Sequence, residues 1–202
     1  MTLNKWGSLA SFLMAAAFIA APLIYLTGDI HTASGVAAYS LADFLYGPLL
    51  AAGLVTATCA LRERLGQRAP RRMGLALLAA GLAALGFAAV ALIRASNRQY
   101  HLANPNMHLE NDVAVLAVWT ALVTGVNALG FHFLGWTFVL LGSAAWTARQ
   151  FPRPISILYM LAGVSGWFVY LFPVLEGSAL LFGILIGIWQ GVLLWKHPAP
   201  GG

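Results

Sequence analysis

The chain has 202 residues, 60% of them hydrophobic and only 8% charged, with a mean hydropathy of +0.81. Soluble domains carry about 25% charged residues, and a deficit of this size excludes a water-soluble enzyme, a disordered tail and a fibre. At roughly 20 apolar residues per crossing, the length suits six or seven short-looped spans in a single domain, residues 1–202.

In chain order, the first apolar stretch is Trp6–Leu26, preceded by Lys5. A secretory signal is the competing reading, but its apolar region would run only about 7–15 residues. A retained helix over 6–26 is therefore predicted. Further spans are expected at 42–61 and 73–93, then at 155–171 and 178–195. Between them, 112–148 reads either as one long helix (a span over 121–148) or as two tightly turned ones. The largest loop is expected at about 95–111.

The positive-inside rule separates six spans from seven. With six spans and both termini cytoplasmic, Lys5, Arg62, Arg64, Arg68, Arg71, Arg72, Arg149, Arg153 and Lys196 lie inside, and only Arg94 and Arg98 outside. Seven spans would move Arg149, Arg153 and Lys196 outside and erase the asymmetry. The acids, which the rule ignores, agree. Asp29, Asp43, Glu110, Asp112 and Glu176 fall on the outer side and Glu63 inside. The fold class is thus an all-α transmembrane bundle of six helices, in a cell inner (plasma) membrane. Its net charge of +5 reflects topology and anionic lipid rather than nucleic acid. Trp6, Trp146, Tyr159 and Trp195 would form the inner aromatic belt, and Tyr25, Tyr39, Trp119 and Tyr170 the outer one. Cys59, the single cysteine, cannot form an internal disulfide.

Gly183, Gly187 and Gly191 repeat every four residues, a ridge along which a second backbone can approach closely. Either packing within the chain or a homodimer seam would use it. Ala79, Ala80, Ala83, Ala84 and Ala88 offer a matching smooth surface. Among polar residues, His31, His108 and Glu110, with Asp29 nearby, are side chains of the kind that hold zinc, copper or non-haem iron, although their spacing matches no metal signature. His101 shares their loop. His132 lies within the fourth span on a small-residue face with Gly125, Ala128 and Gly135, and is expected to point into the bundle. Its readings are haem ligand, proton relay, ligand-binding group, or a neutral imidazole bonded near Asn127, Thr124 or Thr137. Asp43, with Tyr39, Tyr46 and Gly47, opens the second span, and Arg94 is its nearest basic partner by depth. No phosphate loop, CxxC or GxSxG occurs. Only Gly47-Pro48 and Pro22 suggest the broken helices of transporters.

The stretch that follows His132 through Leu171, with its glycine-bearing fourth helix, the turn Arg149-Gln150-Phe151-Pro152-Arg153-Pro154 and then Ile155-Ser156, resembles a bacterial six-helix membrane family catalogued as a domain of unknown function. The resemblance covers about 130–196. It implies six spans and supplies no reaction or site residues. Three functional classes follow from the whole sequence. The first is a non-catalytic membrane protein binding a small apolar ligand or lipid, or serving as a subunit of a membrane complex. The second is a membrane redox or metal- or haem-dependent enzyme using the outer histidines and His132. The third is a small transporter lined by Asp43, Arg94 and His132.

Overall fold

The computed structural model describes residues 2–28, 32–103 and 113–196, and among these every regular element is helical. Helix α1 is Leu3–Thr27. Ala33–Phe44 and Leu50–Leu65 join without a break through one π turn, Leu45–Leu49, and together form α2. Then come α3, Pro70–Ala103; α4, Val113–Ala148; α5, Arg153–Phe168; and α6, Leu175–Lys196.

Five of these six rods are long and apolar enough to cross a membrane. The exception, α5, has 16 residues and reaches only about 24 Å at 1.5 Å per residue. Residues 113–148 form one helix, as six spans require. The boundaries differ from those read in the sequence. Helix α2 starts well before Ala42, α3 runs on to Ala103, and α4 starts at Val113, so the first part of the expected outer loop is helical. Hydropathy marks where a helix leaves the apolar layer, not where it ends. The polar run Ser96-Asn97-Arg98-Gln99 contains no helix breaker and simply continues α3.

Each helix packs on its neighbours in sequence, and α6 closes the ring against α1, so the chain makes an up-and-down bundle. Inside it Phe18, Leu50, Leu54, Leu61, Phe87, Phe131, Leu134, Leu141 and Ile155 are almost fully buried. Lipid-type contact falls to the other faces, where Leu78, Leu85, Leu92, Val118 and Leu181 are exposed. Exposed leucines are what an apolar solvent requires of a bundle surface.

Backbones meet most closely between α4 and α5. A Cβ on Gly135 would sit 2.6 Å from the Gly163 carbonyl oxygen, and one on Gly163 would sit 2.7 Å from that of Gly135. In an apolar solvent such close approach replaces the hydrophobic drive, because dispersion between helices is what favours association. The ridge of Gly183, Gly187 and Gly191 is also filled from within the chain, by Phe18, Ser11 with Ala15, and Phe12 of α1. The matching surface is therefore α1 and not the α3 alanines. Those alanines lie across the ring, where Ala79, Ala80, Ala83 and Ala84 are buried.

Neither proline breaks its helix. Pro22 lies within a continuous α1. Pro48 lies in the π turn of α2, where the wider spacing relieves the clash of its ring with the preceding turn. The π turn keeps Ala42, Asp43, Tyr46, Gly47 and Leu50 all on the buried side. The two polar residues among them build the site described next.

Candidate functional site

The two ends of the bundle differ in chemistry. At the end away from the termini, Asp43 is 3% exposed. Its carboxylate accepts from the Tyr25 hydroxyl of α1 at one oxygen and from the Arg98 guanidinium of α3 at the other. Arg94, one turn before Arg98, stands 4.0 Å from the same carboxylate and lies over the Tyr25 ring at 5.1 Å. Tyr39 reaches back to donate to the Tyr25 carbonyl at 3.0 Å. One turn further along α2, the Tyr46 hydroxyl donates to Asn127 Oδ1 of α4 at 3.0 Å. The Asn127 amide in turn donates to Glu176 of α6 at 3.1 Å. These links tie five helices, α1, α2, α3, α4 and α6, into one polar layer.

Sequence reasoning found Asp43, Arg94 and Asn127 and paired Asp43 with Arg94, but missed Arg98. Arg98 holds Asp43 closely, and Arg94 is the more distant partner. The signal was available, since Arg94 and Arg98 are four apart and share one face of a helix. Tyr25, assigned to the outer belt, is instead the second ligand of Asp43. Tyr159, assigned to the inner belt, is 1% exposed and bonds Gln190 across the α5–α6 contact. Trp6, Trp146 and Trp195 are exposed, as a belt requires.

His132 does not point into the bundle. It is half-buried on the flank of α4, because Phe131, Leu134, Gly135 and Phe138 take the inward face and His132 lies about 100° from Phe131. Its Nε2 accepts from the Trp136 indole at 3.2 Å, and its ring meets Tyr170 edge-on at 6.2 Å. Thr137 bonds the Phe133 carbonyl rather than the imidazole. His31, His108, Glu110 and Asp29 lie outside the described residues. Among the described residues, no three His, Cys, Asp or Glu side chains gather as a metal site would need. Haem or metal chemistry at His132 would therefore have to displace the Trp136 bond.

At the end carrying the termini, the basic side chains cap helix ends. Arg68 donates to the Ala148 carbonyl of α4 at 2.5 Å, Arg72 to Ser143 at 3.1 Å, and Arg64 to Leu193 of α6 at 3.4 Å. Cations at helix C-termini are favoured by the orphan carbonyls there. Ser8 ties α1 to the Gly191 carbonyl at 2.6 Å, which holds the start of α1 against the last turns of α6.

No family model, curated protein or solved structure matches the chain.

The remaining feature is on the outside of α3. Gly74 and Gly81 have no atom within 4 Å of where a Cβ would be. With Leu77, Leu78, Leu82 and Leu85 they line an open groove of about 600 Å³, entirely apolar in residue type.

Proposed function

We propose that this chain is a multi-pass membrane protein of non-catalytic type that binds an apolar, lipid-like molecule along α3. The observation that carries this reading is the groove at Gly74 and Gly81. The two glycines are seven residues apart, two turns on one face, and Leu77, Leu78, Leu82 and Leu85 line the groove beside them. A flat seam for a second helix wants small residues four apart, as in the ridge that α1 already fills. A floor of glycine between leucine walls suits an acyl chain better. In the same reading the basic end faces the cytoplasm of a bacterial inner membrane. The charge asymmetry and the resemblance over 130–196 support that placement.

The polar layer supports a structural role for Asp43, because both of its carboxylate oxygens are already engaged, by Tyr25 and Arg98. A transport path through Asp43, Arg94 and His132 would need those bonds to open.

The test is mass spectrometry of molecules retained by detergent-purified wild type and by G74L/G81L. Both leucines enter open space, so folding should be preserved. Wild type should retain a lipid-like molecule that the variant loses. Equal retention, or none in wild type, would sink the reading, and a retained protein in its place would favour a subunit of a membrane complex.

A further inference from the structure

Where α4 ends and α5 begins, Ala145, Trp146, Arg149, Phe151, Arg153 and Ser156 line a cleft of about 220 Å³. It shares no residue with the groove on α3, so the two readings stand or fall separately. Three features set it apart from a merely basic surface. First, Arg149 and Arg153 both line this one small space. Among the described residues neither is ion-paired, and Arg68 rather than Arg149 caps the Ala148 carbonyl. Second, the cleft lies at the N-terminus of the 16-residue α5, the positive end of the helix dipole; Pro154 carries no N–H and that of Ile155 bonds the Pro152 carbonyl, so the dipole rather than free N–H groups favours an anion there. Third, Ser156 is 1% exposed and its Oγ has no hydrogen-bond partner. A buried hydroxyl is nearly always bonded, and this one lines the cleft. Trp146 forms a wall, with the Arg153 guanidinium 5.7 Å from its ring centroid.

We propose that this cleft binds a phosphate group, with the headgroup of an anionic phospholipid as its source. Guanidinium forks match the paired oxygens of a phosphate diester, and five fixed donors on each arginine leave several for the ligand. The Ser156 hydroxyl supplies a further donor. Tryptophan at the same level is suited to the headgroup region, where one edge of the ring is wet and its body apolar. Basic pockets between helix ends are a recognised way of holding lipid phosphates.

The experiment is native mass spectrometry of the detergent-solubilised full chain, titrated with phosphatidylglycerol and with phosphatidylcholine of the same acyl chains. Wild type should prefer the anionic lipid by about tenfold, the effect of one or two charge-assisted hydrogen bonds. R149Q/R153Q should abolish the preference, while R62Q/R71Q, which alters exposed arginines outside the cleft, should keep it. S156A provides a second handle if the double variant does not fold. It should raise the melting temperature of lipid-free protein and weaken retention of the anionic lipid. Millimolar inorganic phosphate that displaces the lipid from wild type but does nothing to R149Q/R153Q would keep the site and assign it to soluble phosphate. An undiminished preference in R149Q/R153Q, or retention unchanged in S156A, would overturn the proposal.

Discussion

The polar layer around Asp43 and the cleft around Ser156 are built from the same kinds of residue and end in opposite states. In the layer around Asp43, two arginines, three tyrosines and an amide converge, and each finds its partner on another helix. Around Ser156, two arginines and a buried hydroxyl converge without a common acceptor among the described residues. A satisfied buried network rigidifies a core, whereas an incompletely satisfied one marks a place where something else belongs. Polarity inside an apolar bundle therefore does not by itself indicate function. The completeness of its pairing is the more informative quantity.

The largest effect is expected where the layer is broken. Asp43→Ala leaves Arg98 and Tyr25 without their acceptor and should cost about 3–5 kcal/mol, as removal of one member of a buried pair does. Unfolding in detergent by heat or denaturant measures it. A double-mutant cycle with Arg98→Met should show strong coupling, and additive losses would mean that the two do not act as a pair. Next in size, Gly163→Ala pushes a methyl against Val139 and the Gly135 carbonyl oxygen. It should destabilise by about 1–3 kcal/mol, whereas Gly81→Ala, facing open space, should be neutral or slightly stabilising. Equal effects at the two glycines would refute the close α4–α5 contact. Smaller still, Ser156→Ala removes an unpaired buried hydroxyl and should stabilise lipid-free protein by about 1 kcal/mol. Any destabilisation would show that the hydroxyl is bonded after all. The least effect is expected at His132→Ala, within about 0.5 kcal/mol, since its ring lies on the flank and its one bond is to Trp136.

Much of this was legible in the sequence. Six helical rods, and the gathering of the start of α1 and the end of α6 with the basic residues, follow from hydropathy and charge, because a bilayer imposes those two signals on any bundle. Asp43, Arg94 and Asn127 were identifiable as costly residues within apolar runs. What was hidden depends on the rotation of helices about their axes. The inward face of α4 passes through Phe131 and Leu134, and a difference of one residue turns His132 from the interior to the flank. A helix that is apolar all round gives no periodicity to fix that angle. The partner of the Gly183 ridge was hidden for a related reason. Small residues occur on both α1 and α3, and only the order of the ring selects α1. Ser156 was invisible as a functional candidate, because a serine near a helix start reads as ordinary capping chemistry.

The central claim is that ligand binding belongs to the surfaces left open, with α3 as the seat of an acyl chain. Photo-crosslinking tests it most directly, using a phospholipid with a diazirine in its acyl chain, incorporated with the protein into nanodiscs and mapped by peptide. The account predicts label concentrated on Gly74–Leu85 relative to the equally exposed Leu181, Leu185 and Ile188 of α6. Labelling spread evenly over both helices would contradict it.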